Sequence, residues 1–156
     1  MHRYFIINKP TNMVSQFVST HEVGLLGDLN FNFPEGTHAI GRLDKTSEGL
    51  LILTTDKTIT RKLFLSATPH KRSYLVMVQN KITAPTLIKL QQGISIQIKT
   101  GEHYIAKPEA VEIISDPKAL YKYATDSREI YPYTWLLITL TEGKFRQVRK
   151  VEKYSA

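Results

Sequence analysis

The chain has 156 residues, 42% hydrophobic and 22% charged, as is typical of a globular protein long enough to build one hydrophobic core. It contains no cysteine, which excludes disulfides, thiolate metal sites and thiol catalysis. Lysine and arginine total 21 against 14 aspartates and glutamates, and the resulting net charge of +7 favours a polyanionic partner such as nucleic acid.

Charge alone is equally compatible with a merely soluble basic protein. The distribution favours the nucleic-acid interpretation, because basic residues cluster just after Asp56 and again at the C-terminus. No stretch approaches the roughly 18 consecutive apolar residues of a membrane span, and the N-terminus lacks the pattern of a signal peptide. We therefore expect a cytoplasmic protein with no membrane partner, and a monomer.

The first half of the chain predicts two strands and one helix. Residues 3–8 (RYFIIN) are aromatic and β-branched and predict a strand, whereas residues 11–36 are punctuated by turn formers and predict no regular element. Residues 49–54 form a short apolar run, which is typical of a strand covered on both faces. Asp56 is predicted to cap a helix that ends at Pro69.

The second half predicts four strands, in residues 72–79, 94–98, 104–114 and 133–140. The last of these is apolar on both faces and is predicted to be central. One helix is predicted from its cap Thr83 to Gly93, and a short basic helix over residues 144–154, with a polar loop over residues 115–132. Strands therefore dominate, and we predict an α+β fold with a largely antiparallel sheet.

Several kinds of site have no support in the sequence. The five histidines show no metal-ligand spacing, and HExxH is absent, so no metal is expected. The scattered glycines form no phosphate-binding loop, and GxSxG is missing. Nucleotide-dependent chemistry and serine hydrolysis are therefore not supported.

Residues 41–56, GRLDKTSEGLLILTTD, join a charged, turn-forming segment to the apolar strand. Taken alone, Asp44 in such a position is most often a turn or cap residue. Arg42 two residues earlier would form a solvated pair with it, worth under about 1 kcal/mol if exposed. Spacing alone therefore does not define a site.

Four segments taken together carry more information. Residues 41–56 closely resemble GRLDxxTxGLLLLTxD, the signature of RNA pseudouridine synthases of the RsuA/RluB/RluE/RluF group. Three further segments resemble motifs of the same group in the same order: FIINKPTN (5–12), KRSYLVMV (71–78) and LTEGKFRQVRKV (140–151). Asn12 stands where that group usually has glycine.

The resemblance implies a pseudouridine synthase catalytic domain that acts without metal or cofactor. Asp44 matches the catalytic aspartate, which either attacks C1′ of the target nucleotide or abstracts the C2′ proton; the sequence does not choose. Tyr74 matches the active-site tyrosine that stacks on the base. A basic partner would keep the carboxylate charged, and the resemblance points to Lys144, with Arg146 and Arg149 as further candidates.

The resemblance also implies a substrate and a domain organisation. Because the chain begins at the catalytic-domain strand, we expect a single catalytic domain over residues 1–156 with no N-terminal S4 domain. It is most like the E type, which isomerises a uridine in 23S large-subunit ribosomal RNA. The C-terminus is predicted to be truncated relative to the group.

The shortened C-terminus and Asn12 leave an alternative open, a non-catalytic RNA-binding or ribosome-assembly protein on the same scaffold. Both alternatives have ribosomal RNA as the partner, bound in a strongly salt-dependent manner. The target base would have to be extruded from any stem. The side chains predicted to contact the RNA are those of Lys9, Arg42, Arg61, Lys71, Arg72, Arg146, Gln147 and Arg149.

Overall fold

The computed structural model describes residues 1–64, 70–124, 132–144 and 146–152. The chain divides into two compact units, Met1–Thr68 and Pro69–Ala156. All pairs of named strands are antiparallel, and the helices are short, which confirms the predicted α+β class. The single catalytic domain stays a prediction. No helix in the described ranges is long and apolar enough to cross a membrane.

The first unit holds a three-stranded sheet in the order β1-β3-β2. Its strands are β1 (Tyr4–Lys9), β2 (His38–Ile40) and β3 (Gly49–Thr54). The strands β1 and β3 were predicted, β3 with the observed bounds. The strand β2 was not predicted, because three residues are too few to show an alternating pattern. A short helix, α1 (Ile59–Phe64), follows the sheet, and residues 65–69 with the predicted stop at Pro69 lie outside the described residues.

One face of this sheet is buried. Leu51 and Leu53 of β3 are 3% and 0% exposed and pack with Met13 and Leu26 of the preceding segment. Leu50 on the opposite face is 68% exposed. Because successive side chains of a strand point to opposite faces, the face of Leu51 and Leu53 is covered, whereas the other face is open at Leu50 and closed at Thr54, which is 0% exposed. The expectation that β3 is covered on both faces was therefore wrong.

The segment between β1 and β2 is irregular, as predicted, but it is well tied together. Its one described regular element is a 3-10 helix over Leu26–Asp28. The N–H of Val14 donates to the carbonyl of Gly24 at 2.9 Å, and the N–H of Leu26 donates to the carbonyl of Gln16 at 2.9 Å. Because most of this segment has no strand ladder, these bonds provide partners for its backbone N–H and carbonyl groups inside the protein.

Asp56 lies between β3 and α1, where a cap was predicted, but the described bonds of its carboxylate go to Thr58, the residue before α1, and to Tyr4 rather than to an N–H of the helix. Its carboxylate accepts hydrogen bonds from the Thr58 N–H at 2.9 Å and the Thr58 hydroxyl at 2.7 Å, and from the Tyr4 hydroxyl at 2.9 Å. The bonds from Thr58, chiefly the one from its hydroxyl, lower the pKa of Asp56 from 3.8 to about 2. The same carboxylate raises the pKa of Tyr4.

The second unit contains the remaining elements. In chain order they are β4 (Arg72–Gln79), α2 (Ala84–Gln92), β5 (Ile94–Lys99), β6 (Glu102–Ala106), β7 (Ala110–Ile114), α3 (Pro117–Leu120), β8 (Tyr133–Leu140) and α4 (Gln147–Glu152). The order β4-β8-β7 confirms that β8 is central, and β5 and β6 form a separate hairpin. Alternate residues of β8 are buried, and Leu136 and Ile138, which are 0% exposed, belong to the core of this unit.

The strands β4 and β8 have the predicted bounds, and α2 begins after Thr83 and ends at Gly93 as predicted. Two predictions were wrong in this unit. Residues 104–114 form two strands rather than one, since Pro108 between them lacks the N–H that a ladder requires. The predicted loop over 115–132 contains α3, capped by the Asp116 side chain. Residues 125–131 of that loop lie outside the described residues.

Candidate active site

Asp44 lies on the loop between β2 and β3, residues 41–48, which we call the Asp44 loop. The glycines at its two borders have positive φ, 74° at Gly41 and 123° at Gly49. A side chain at Gly41 would also approach the Phe64 ring to 3.3 Å. Inside the loop, the N–H of Ser47 donates to the carbonyl of Asp44 at 3.0 Å and closes a turn. Asp44 is half-buried, in a turn that leads directly into the core strand β3.

The segment that follows β1 supports this loop from one side. The hydroxyl of Ser15 bonds both the N–H and the carbonyl of Leu43, at 3.0 and 3.1 Å. The hydroxyl of Thr11 donates to the carbonyl of Thr46 at 3.3 Å. The residue before Asp44 and the turn after it are thus both tied to the segment 10–15.

Lys9 requires a correction. It was predicted to contact RNA, but it is 0% exposed, and its ammonium donates to the carbonyls of Pro10 at 2.8 Å and Met13 at 2.7 Å. Burial lowers its pKa, and the charges of Glu48 and Asp44 partly offset that effect. Lys9 is therefore an internal cation beside the Asp44 loop, and we remove it from the predicted RNA-contacting set.

Asn12 adopts a conformation that explains its place in the motif. Its φ is 62°, in the left-handed region that glycine enters without cost and that asparagine tolerates better than most other residues. Asparagine therefore serves where related sequences usually have glycine. The departure at this position gives no support to a non-catalytic protein.

The other two RNA-contact candidates of the first unit are on its surface. Arg42 in the Asp44 loop and Arg61 in α1 are both exposed. Their contact with RNA stays a prediction.

Lys144 lies between β8 and α4, and we call residues 142–144 together with Gln147, the first residue of α4, the Glu142 turn. The amide of Gln147 accepts from the Lys144 N–H at 2.9 Å and donates to the Glu142 carboxylate at 3.1 Å. The Tyr104 hydroxyl donates to the other oxygen of Glu142, and this bond raises the pKa of Tyr104. The exposed Lys144 ammonium lies 4.8 Å from the centre of the Tyr104 ring, within the range of a cation–π contact.

The structure of the Glu142 turn shows that the predicted RNA contact of Gln147 was wrong, and it adds Tyr104 to the residues around Lys144. Gln147 was predicted to contact RNA, but it is 3% exposed and both ends of its amide are engaged inside the protein. Sequence reasoning missed Tyr104, which lies on β6, outside the four motifs. It is 38 residues from its partner Glu142, so no local spacing indicates the pair.

Tyr74 lies on β4, opposite Ile138 of β8, and is half-buried against the core of the second unit. The ring is therefore partly exposed, and its role in stacking on a base stays a prediction.

The remaining RNA-contact candidates of the second unit differ in their surroundings. Lys71 is exposed and forms an ion pair with Glu109. The Arg72 guanidinium lies beside Gly143, 3.6 Å from the position that a Cβ would occupy there. Arg146, which has a φ of 50°, is exposed, and Arg149 is half-buried on α4. Their contacts with RNA stay predictions.

A solved structure shares this fold. The structure titled "Crystal structure of pseudouridylate synthase" superposes with a TM-score of 0.70 at 23% identity, over 97% of this chain and 56% of its own. The architecture of the present chain is therefore that of a pseudouridylate synthase.

Sequence comparison identifies the family. The model of the RNA pseudouridylate synthase family matches residues 3–152, so the chain belongs to this family. The "Ribosomal large subunit pseudouridine synthase E" of Vibrio vulnificus is 35% identical over 150 residues, which cover 96% of this chain and 61% of that protein. A protein of the same name from Xanthomonas axonopodis pv. citri is 30% identical, over 94% of this chain and 75% of its own length.

Membership of the RsuA/RluE group, expected from the four motifs, is thereby confirmed. The "Ribosomal small subunit pseudouridine synthase A" of Escherichia coli is a more distant relative, 24% identical over 96% of this chain. The chain spans about three-fifths of the length of the Vibrio vulnificus relative.

Proposed function

We propose that this protein isomerises a specific uridine of ribosomal RNA to pseudouridine, in the 23S RNA of the large subunit, and that Asp44 is the catalytic carboxylate. The reaction breaks the N1–C1′ bond, turns the uracil and joins C5 to C1′, so that the C5 proton leaves and N1 gains one. The observation that carries the proposal is the family match over residues 3–152, which includes the Asp44 loop and the Glu142 turn. The protein would act in the cytoplasm, as a monomer.

The surroundings of Asp44 support its role. A group that reacts at the sugar has to be held in one geometry while it stays accessible. Asp44 is half-buried, on a turn tied to the segment 10–15 and followed by the buried strand residues Leu51 and Leu53. The loop is thus rigid where it is anchored, and its carboxylate is partly exposed. Either of the two chemical routes at Asp44 needs such a carboxylate in its ionised form.

We also propose that the Tyr74 ring stacks on the target base and that Lys144 provides a cation for the reaction. The Glu142 turn holds the backbone of Lys144 through Gln147, while the Tyr104 ring lies under its ammonium. The attraction of a cation to a ring face favours positions of the Lys144 ammonium over the Tyr104 ring. We propose that Arg42, Arg61, Lys71, Arg72, Arg146 and Arg149 contact RNA phosphates.

The test uses 23S and 16S ribosomal RNA transcribed in vitro, which contain no pseudouridine. After incubation with the protein, new pseudouridines are mapped by carbodiimide-dependent primer extension. We expect one new site in the 23S transcript, and we expect it to disappear with Asp44→Asn. Glu48→Gln is the matched control, because Glu48 is a second carboxylate of the same loop and is exposed; this variant should keep the activity.

Other outcomes would change the proposal in specific ways. A site in the 16S transcript would retain the reaction and move the substrate to the small subunit. Activity that survives Asp44→Asn would remove Asp44 from the catalytic role. RNA binding by the folded protein without a new site in either transcript would refute the enzyme and favour the non-catalytic RNA-binding protein.

A further inference from the structure

A single buried hydroxyl holds the residue that precedes Asp44. Ser15 is 5% exposed, and its hydroxyl accepts from the Leu43 N–H at 3.0 Å while it donates to the Leu43 carbonyl at 3.1 Å. A serine hydroxyl has one proton and two lone pairs, so one side chain can satisfy both backbone groups of a residue. Leu43 lies outside any strand ladder, and Ser15 provides its backbone with the partners that a strand would otherwise supply.

Ser15 is itself held on both sides. The N–H of Val14 donates to Gly24, and the carbonyl of Gln16 accepts from Leu26, both at 2.9 Å. Leu26 is 0% exposed and belongs to the core under β3. The hydroxyl is therefore mounted on a segment whose backbone is fixed immediately before and immediately after it. Leu43 could therefore be displaced only if the backbone around Ser15 moved or both hydrogen bonds broke.

We propose that Ser15 is a positioning residue for the Asp44 carboxylate, acting through the two hydrogen bonds to Leu43. This inference rests on the proposed role of Asp44. Without these two bonds, the described hydrogen bond that still joins the loop to the segment 10–15 is the longer one between Thr11 and Thr46 at 3.3 Å, so the peptide between Leu43 and Asp44 would be held less firmly. Displacement of a reacting group by about 1 Å is sufficient to lower a rate on the order of 100-fold.

The same unit contains a matched control for a purely structural effect. The hydroxyl of Thr54 donates to the Arg3 carbonyl at 2.8 Å and accepts from the Asp56 N–H at 3.0 Å, and Thr54 is 0% exposed. It is also a buried hydroxyl that joins two backbone groups, but at the opposite end of β3 from the Asp44 loop. Thr54→Val removes that hydroxyl and preserves the shape of the side chain.

The experiment compares Ser15→Ala, Ser15→Thr and Thr54→Val with the natural protein. For each protein, kcat and KM on the 23S transcript are measured well below the midpoint of thermal unfolding. We expect Ser15→Ala to lower kcat about 10- to 100-fold with KM changed less than about twofold. Ser15→Thr, which keeps the hydroxyl, should recover most of kcat, and Thr54→Val should leave it within about twofold although it lowers the unfolding midpoint.

A second readout does not depend on turnover. The ¹³C resonance of the Asp44 carboxyl carbon should shift or broaden in Ser15→Ala and stay in place in Thr54→Val, and the Leu43 amide proton should exchange at least about 10-fold faster in Ser15→Ala only. If the natural protein makes no pseudouridine, the proposed function fails, and the NMR comparison still decides the positioning role. An unchanged Asp44 resonance in Ser15→Ala, or equal losses of kcat in Ser15→Ala and Thr54→Val, would overturn the inference.

Discussion

The Asp44 loop and the Glu142 turn each hold one candidate residue, but they do so with different interactions. Neutral hydroxyls of Ser15 and Thr11 bond the backbone of the Asp44 loop. In the Glu142 turn, a carboxylate accepts from Tyr104 and Gln147. Both loops depend on partners distant in sequence, 28 residues away for Ser15 and 38 for Tyr104.

The difference predicts how each region responds to its surroundings. Hydrogen bonds between neutral groups change little with salt, whereas those of a carboxylate at the surface depend on its ionisation and on screening. The Asp44 loop should therefore keep its geometry over a wide range of salt, and the Glu142 turn should be the more sensitive of the two.

The largest effect is expected in the core under the Asp44 loop. Leu53→Ala should lower the free energy of unfolding by about 2–5 kcal/mol, because the fully buried side chain leaves a cavity. Leu50→Ala, on the exposed face of the same strand, should cost less than about 1 kcal/mol. Urea denaturation of both variants provides the measurement. An equal loss in Leu50→Ala would mean that the outer face of the sheet is covered in solution.

A smaller effect is expected from Gln147 in the Glu142 turn. Gln147→Leu removes both bonds of the amide and leaves the Lys144 N–H and one Glu142 oxygen without that partner, so it should cost about 1–3 kcal/mol. Gln91→Leu is the control, since Gln91 makes one described bond, to the Val111 carbonyl, and is exposed. It should cost about 0.5–1 kcal/mol. Similar losses in the two variants would show that Gln147 does not organise the turn.

Local pattern was sufficient to predict most of the fold. The apolar runs of β3 and β8 and the capped helix α2 carry their own start and stop residues, and the structure has them at the predicted bounds. Local pattern was insufficient at β2, which has three residues, and for the outer face of β3. Whether one face of a strand is buried depends on which other segments pack against it, and the sequence of the strand itself does not contain that information.

The same distinction applies to the candidate site. The motifs placed Asp44 on the loop before β3 and Lys144 on the loop after β8. The residue type alone, lysine or glutamine, does not indicate whether a side chain faces solvent. Lys9 and Gln147 were therefore assigned to RNA, although both are buried and bonded to the protein. Ser15 and Tyr104 went unnoticed because their bonds join residues far apart in the chain.

A third prediction concerns the contact between Lys144 and the Tyr104 ring. A double-mutant cycle of Tyr104→Leu and Lys144→Met should give a coupling energy of about 0.5–1 kcal/mol, as expected for an exposed cation–π pair. A second cycle with Tyr104→Phe in place of Tyr104→Leu should give a coupling energy near zero, because phenylalanine keeps the ring and its contact with Lys144 and loses only the bond to Glu142. Unfolding in urea at low and high salt provides the values. A coupling of zero in the cycle with leucine would mean that the ring does not hold the ammonium.

The last prediction concerns the pH dependence of stability at the other end of β3. The folded pKa of Asp56, about 2, is below its ordinary value of 3.8. Between these values the unfolded chain binds the proton more strongly, so the stability that Asp56 provides is complete above about pH 4 and is lost as the pH falls towards 2. Asp56→Asn should flatten this dependence.

Asp116→Asn is the matched control for that measurement. Asp116 is also a carboxylate that precedes a short helix, but it is exposed, and its one described side-chain bond is from the Ala119 N–H at 3.3 Å. Thermal unfolding of the three proteins between pH 2 and 5 should therefore separate Asp56→Asn from the other two. If all three curves keep the same slope, the bonds from Thr58 and Tyr4 do not keep the Asp56 carboxylate charged. The stability of the first unit would then not depend on an ionised carboxylate at this end of β3, whereas the Glu142 turn still would depend on its own carboxylate.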